Sequence, residues 1–203
     1  MRIGSFFRTI ARTLGIVPLV LLLLAASGLP ARALSEAELW AALREPDHFV
    51  IMRHALAPGT GDPSRFRVDD CSTQRNLSEA GRQQARRTGE AFRRNGIERA
   101  AVYSSQWCRC LETARLLGLG EVKELAALNS FFGERNKGPA QIRQLQEELR
   151  GIDLSRPVVL VTHQVNVTGF TGVYPGSGEM AVVRREPDGS FETVGTIDPR
   201  STR

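Results

Sequence analysis

Histidine, cysteine and tyrosine are scarce in this chain of 203 residues, at three, three and two copies. Lysine is nearly absent: 25 of the 27 basic side chains are arginine. Each shortage excludes something. Three cysteines are too few for a disulfide-dense scaffold. Cys108 and Cys110, with a distant Cys71 and no histidine nearby, lack the ligand spacing of a zinc site, so no metal and no other cofactor is expected. The apolar run Leu14 to Ala26 is short for a membrane span. No internal repeat and no seam for a second domain is visible. The arginines do not gather into a basic face either. Arg82, Arg86, Arg87, Arg93 and Arg94 share their region with Glu79, Glu90 and Glu98, the pattern of a solvated helix, so a nucleic-acid partner is not expected. The arginine excess reads as genomic composition first and phosphate chemistry second.

What is present begins with a leader. Arg2, Arg8 and Arg12 form a positive start, the apolar run follows, and Ala31 and Ala33 supply a small-x-small cleavage site. Residues 1–33 therefore read as a secretory signal peptide, leaving one domain over 34–203. The expected location is outside the cytoplasm, in the periplasm, with no stable membrane insertion after cleavage. The leader takes four arginines and no acid with it, so the net charge falls from +5 to +1. The basic balance of the whole chain thus says little about the mature protein.

Phe49, Val50, Ile51 and Met52 read as a buried strand that ends abruptly in Arg53, His54 and Ala55. Val158 to Thr162 repeats the pattern and ends in His163. Between them Ala101 to Ser105 is a third short strand, running into a helix with Arg109 in its first turn. Ligands of open α/β sheets bind outside the carboxyl ends of the strands. Two imidazoles and two guanidiniums at strand ends suggest a pocket for a doubly charged oxyanion. His48 precedes its strand and reads as a surface histidine.

Arg53, His54 and Ala55, the run Ser104 to Arg109, and Thr162 with His163 resemble, in order and spacing, the histidine phosphatase superfamily. Asn76 to Gly81 resembles the leucine, hydroxyl, acid and glycine run that opens that family's first long helix. The resemblance covers roughly residues 48 to 197. It implies that His54 is the nucleophile, forming a covalent phosphohistidine that water later hydrolyses. It further implies that Arg53 and Arg109 clamp the phosphoryl oxygens and that His163, protonated with substrate bound, donates to one of them. The assignment of His54 over His163 rests on the resemblance, since both histidines stand at strand ends.

Arginine suits this task because its planar fork stays charged and grips two oxygens at once. Phosphoryl transfer asks mainly for positioning and charge stabilisation. Asn166 is a further candidate for substrate binding, at the start of a helix whose N-terminal amides would face the phosphate; its alternative is to satisfy local backbone. The leaving group needs a general acid. Some members of the family place a carboxylate directly after the second histidine, where this chain has Gln164. Others use a glutamate downstream of the second arginine, near which stand Asn129 and Glu134. Glu179 is a third candidate. Without a strong acid, good leaving groups (phosphohistidine, acyl or aryl phosphates) are expected to be preferred over alkyl phosphates.

Strands alternating with helices imply an α/β fold: a single-domain three-layer sandwich, its sheet mostly parallel with helices on both faces. Met180 to Arg185 and Phe191 to Ile197 form an antiparallel C-terminal hairpin at the sheet edge. Helices are expected after the cap Ser35, over Ser78 to Asn95, over Trp107 to Leu117 and over Pro139 to Leu149. Ala80, Ala85, Thr88 and Phe92 are among the apolar positions of the second of these. Val122 to Leu128 is a strand or irregular, and 56–75 is a long loop on the pocket rim. An exported chain meets oxidising conditions, so cysteines pair by default. Cys110 shares a helix face with Ala114 and Leu117, so Cys71–Cys108 is the expected disulfide and Cys71–Cys110 its close competitor. Trp107 either walls the pocket or plugs the core. The expected function is an exported phosphatase acting on a small phosphorylated substrate or a phosphorylated envelope component. The alternative is a catalytically weak phosphate-ligand binding protein of the cell envelope.

Overall fold

The computed structural model describes residues 33–199, so the expected leader lies, but for Ala33, outside the described residues. The first described helix, α1 (Glu36–Ala42), starts at a reciprocal capping box between Ser35 and Glu38. Three strands, β1 (His48–Arg53), β2 (Ala101–Ser104) and β3 (Val122–Glu124), then run parallel in one sheet. A fourth parallel strand, β4 (Val158–Thr162), returns between β2 and β1. The hairpin strands β5 (Met180–Arg185) and β6 (Phe191–Ile197) pair antiparallel and extend the sheet beyond β1. The strand order is β3-β2-β4-β1-β5-β6.

Side chains alternate along these strands and split the core in two. Val50, Met52, Val159 and Val161 face Trp40 of α1, Phe92 of α2 (Glu79–Arg94) and Leu117 of α3 (Cys108–Leu117). Phe49, Ile51, Val158 and Leu160 face Leu145 and Leu149 of α4 (Gly138–Arg150) and Val167 of α5 (Gln164–Thr171). Helices therefore cover both faces, as the alternation of elements required. The segment after β2 contains both structures its sequence allowed, the short β3 and then a single 3-10 turn at Ala126–Leu128.

Two features fix α2. A Cβ on Gly89 would meet the Leu117 carbonyl oxygen at 2.0 Å, so α2 and α3 pack backbone to backbone there. Asn95 caps the C-terminus of α2, and Gly96 follows with φ 79°, a left-handed turn that glycine adopts at no steric cost. Of the apolar positions named for this helix, Ala80 is exposed, while Ala85, Thr88 and Phe92 lie with Ala91 on the buried face.

Candidate active site

Strand register builds the site. β1 and β4 run parallel with Arg53 opposite Thr162, so the next residues, His54 and His163, emerge side by side. Their rings stand edge to face with centroids 5.6 Å apart. β2 pairs with β4 on the other side, and Ser105 follows it to the same end, its amide donating to the Val161 carbonyl at 2.9 Å. The backbone at His54 is held by bonds to Thr162 and from Gly178, and Ala55 N donates to Thr113 Oγ1 of α3. Three parallel strands thus deliver their polar ends to one crevice.

The His54 tautomer follows from its partners. Nδ1 lies 2.7 Å from the Ala55 carbonyl, which can only accept, so Nδ1 carries the proton. Nε2 faces the Nε–H of Arg109 at 3.2 Å and must be the lone-pair nitrogen. Burial, and then the Arg109 guanidinium, push the imidazole pKa down to about 3. Burial and Arg109 thus favour the neutral ring of His54, whose lone-pair nitrogen is turned toward the Arg109 guanidinium.

His163 is set by the same logic. Arg109 Nη2 donates to its Nδ1 at 3.3 Å, so Nε2 carries the proton and donates to Ser105 Oγ at 2.9 Å. Ser105 in turn donates to Asn129 Oδ1 at 3.2 Å. Burial and then Arg109 hold His163 well below its ordinary value. Both influences oppose the protonated form that the resemblance implies with substrate bound.

Arg109 is more fully engaged than a free fork. Its Nη1 and Nη2 grip Asp62 at 2.7 and 3.0 Å, its Nη1 also meets the Arg75 carbonyl, and the remaining N–H groups face the two histidines. Arg109 is buried and Asp62 largely enclosed, with 3% and 11% of the two side chains exposed. Asp62 also accepts from Trp107 Nε1 at 3.1 Å. Trp107 belongs to the hydrophobic core cluster and does not line the cavity; its ring packs edge to face on His163, so it plugs the core directly against the site.

A cavity of about 150 Å³ opens at this point. Arg53, His54, Arg75, Arg109, His163, Gln164 and Val165 line its floor and sides, and Phe132 and Tyr174 stand in its wall. It is smaller than the usual pocket for a whole small molecule, so it suits a phosphoryl group more than a complete ligand. The first two residues of α5, Gln164 and Val165, place a helix N-terminus on the cavity. Arg53 Nε is buried with no partner among the described residues, while its Nη1 donates to Pro175 at 3.2 Å. Three guanidiniums against the single carboxylate of Asp62 leave two positive charges uncompensated among the described residues, the complement of a phosphate dianion.

Arg53, His54, Arg109 and His163 are thus brought together, and three other candidates are not. Asn166 is fully buried and does not line the cavity; its Nδ2 donates to the Asn129 carbonyl at 2.9 Å, a backbone group of a distant segment, and its Oδ1 has no partner among the described residues. Glu134 is exposed and paired with Lys137 at 2.6 Å. Glu179 accepts from the Gly176 amide at 2.6 Å and does not line the cavity. Gln164 reaches the cavity but bonds Thr168 through its amide. No carboxylate lines the wall among the described residues.

Asp62, which pairs with Arg109, and Arg75, which lines the cavity, belong to the site, and sequence reasoning missed both. Arg75 stands immediately before the Asn76 to Gly81 run, which is a usable signal. Asp62 lies in an aperiodic loop and offers none. Cys71 and Cys108 form the expected disulfide, leaving Cys110 as a buried thiol. That bridge ties the rim loop to the first turn of α3. Among the described residues no cluster of three or more His, Cys, Asp or Glu side chains is arranged to hold a metal ion.

Comparison with known proteins supplies the family. Residues 49–150 match the profile described as histidine phosphatase superfamily (branch 1). No curated protein matches the sequence. Solved structures share the fold at low identity. The protein histidine phosphatase SixA complexed with tungstate superposes with TM-score 0.55 at 16% identity, over 77% of this chain and 99% of that one. A phosphoserine phosphatase mutant from Entamoeba histolytica, in complex with phosphoserine, gives TM-score 0.55 at 13% identity over 77% and 99%. A mycobacterial glucosyl-3-phosphoglycerate phosphatase gives 0.51 at 19% identity over 75% and 97%.

Proposed function

The chain belongs to the histidine phosphatase superfamily, and on that premise we propose that it is an exported phosphatase acting through a covalent phosphohistidine on His54. One observation carries the reading: a neutral His54 whose Nδ1 proton is held by the Ala55 carbonyl and whose Nε2 lone pair faces the cavity's guanidiniums. In the first step this lone pair attacks phosphorus in line, and the bond to the leaving atom (an oxygen, or a ring nitrogen where the substrate is a phosphohistidine) breaks with its electrons going to that atom. The phosphoryl oxygens take over the Arg109 edge that now faces the histidines, and Arg53 supplies its buried Nε–H. Binding of a dianion raises the proton affinity of His163, which then donates from the nitrogen that the phosphoryl group meets. In the second step water attacks phosphorus, the N–P bond breaks with its electrons returning to Nε2, and the protons of the water leave with the phosphate as dihydrogen phosphate.

The guanidiniums supply the charge stabilisation, so no metal enters these steps. The absence of a carboxylate from the cavity wall among the described residues favours leaving groups that depart unprotonated: phosphohistidine, acyl phosphates and aryl phosphates. One structural neighbour is a protein histidine phosphatase, in keeping with that preference. The Cys71–Cys108 bridge supports export to an oxidising compartment.

The same missing acid favours a second reading, a phosphate-ligand binding protein of the envelope with little turnover. Trapping with a radiolabelled phosphoryl donor separates the two. The phosphatase gives an acid-labile, alkali-stable adduct that is lost in His54→Ala. Phosphate binding without any adduct establishes the binding protein.

A further inference from the structure

The loop between β1 and α2 buries one carboxylate directly behind the cavity. Four donors converge on Asp62: Arg109 Nη1 at 2.7 Å, Arg109 Nη2 at 3.0 Å, Trp107 Nε1 at 3.1 Å and the Arg75 amide at 3.2 Å. We infer that Asp62 is a positioning residue, which grips the far edge of Arg109 so that its Nε–Nη2 edge is presented to the phosphoryl group between the two histidines. The inference rests on the phosphatase reading above.

The guanidinium is a rigid plane with fixed edges, so holding one edge sets the direction of the other. All five N–H groups of Arg109 have partners: Asp62 and the Arg75 carbonyl on one side, His54 Nε2 and His163 Nδ1 on the other. A phosphoryl group that enters between the histidines displaces only the second set. Asp62 also reaches the rest of the site. Through Trp107 it fixes the ring packed on His163 at 5.4 Å, and through the Arg75 amide it fixes the start of a third guanidinium in the wall. The burial of the pair keeps it from being screened by salt.

A carboxylate bound to a phosphate-binding arginine has a contrary role open to it, as a built-in competitor that blocks the anion. The geometry separates the two. A competitor occupies the edge that phosphate needs, whereas Asp62 holds the edge turned away from the histidines and is not part of the cavity wall. Removing a competitor tightens phosphate binding; removing a positioning group weakens it.

The test compares Asp62→Asn and Asp62→Ala with Asp70→Asn, a change in the same loop at a partly exposed residue paired with Arg67. Orthophosphate binding is measured by calorimetry, kcat and KM with phenyl phosphate, and stability by thermal melting. Asp62→Asn is expected to bind orthophosphate about tenfold or more weakly and to lose on the order of 10²-fold in kcat/KM. Asp70→Asn keeps both while sharing any loss of melting temperature. Orthophosphate affinity in Asp62→Asn equal to or above wild type overturns the inference, as does an equal functional loss in Asp70→Asn. Should neither Asp62 variant fold, the wild-type Arg109 side-chain resonances decide: titration with orthophosphate must shift Nε–H and leave the Nη1–H bonded to Asp62 in place, and an unmoved Nε–H or a displaced Nη1–H overturns the inference. A wild type that forms no adduct and binds no orthophosphate overturns the phosphatase reading as well, so the two failures are distinct.

Discussion

Arg109 Nε lies 3.2 Å from His54 Nε2, a permanent donor directed at the lone pair that the chemistry needs. The His54 imidazole, the nucleophile in the proposed reaction, is therefore held in its neutral form and hydrogen-bonded. An entering phosphoryl group exchanges one contact for another, because its oxygens take the donor and its phosphorus takes the lone pair. The cost of exposing the nucleophile is met within the same event.

That exchange needs a fork with two usable edges. In Arg109→Lys a single ammonium can serve Asp62 or the phosphoryl group but not both. We expect kcat/KM to fall by on the order of 10² to 10³, with a much smaller effect on folding. Arg109→Ala takes two of the four donors and the only ion-pair partner described from the largely enclosed Asp62 carboxylate, and should cost up to about 3–5 kcal/mol of stability. Steady-state kinetics and urea unfolding of the two variants check this, and unimpaired turnover by Arg109→Lys would show that the fork is not used.

The buried imidazoles make a pH prediction with a definite sign. His54 and His163 have folded-state pKa values below the unfolded value near 6.5, so the unfolded chain binds their protons first. Their contribution is fully present above pH 6.5 and is lost as pH falls from there toward about 3 for His54. Each imidazole should add a slope of about 1.4 kcal/mol per pH unit within its window. Urea unfolding at a series of pH values should show this loss on acidification, shallower in His54→Ala. The same depression means that protonation of His54 in the free enzyme should not produce an acid limb in kcat/KM near pH 6.5.

The disulfide predicts a difference among the cysteines. Cys71→Ser should lower stability by roughly 2–4 kcal/mol and reduce turnover, because the released loop carries both Asp62 and Arg75. Cys110 is buried, and burial pushes its thiol up to about 12. It should resist iodoacetamide in the native protein and be alkylated only after unfolding. Mass mapping without reductant should recover Cys71 and Cys108 cross-linked; a labelled Cys108 in native protein counts against the pairing.

Substrate preference can be read from the cavity mouth. Phe132 and Tyr174, 38% and 76% exposed, are two large side chains left open to solvent in its wall. Turnover of phenyl phosphate should exceed that of an alkyl phosphate, and acetyl phosphate should also be a substrate. Tyr174→Ala and Phe132→Ala should raise KM for phenyl phosphate several-fold, in line with about 0.5–1.5 kcal/mol for an aromatic contact, and leave acetyl phosphate nearly unchanged. Equal turnover of aryl and alkyl phosphates would rule out the leaving-group argument.

Much of this protein was legible in one dimension. The boundaries of β5 and β6 and the caps at Ser35 and Ser78 follow from local patterning, because periodic burial and unsatisfied terminal amides are properties of neighbouring residues. The two histidines could be placed at strand ends for the same reason, and the parallel register of β1 and β4 then made them neighbours. Tertiary structure decided the rest. Asn166 turned to the Asn129 backbone, Glu134 went to solvent, and Asp62, from a loop with no repeat to read, became the partner of Arg109. A loop side chain finds its partner only when the chain closes in three dimensions. Burial, which makes such an ion pair strong, is a property of the packed whole that no local pattern records.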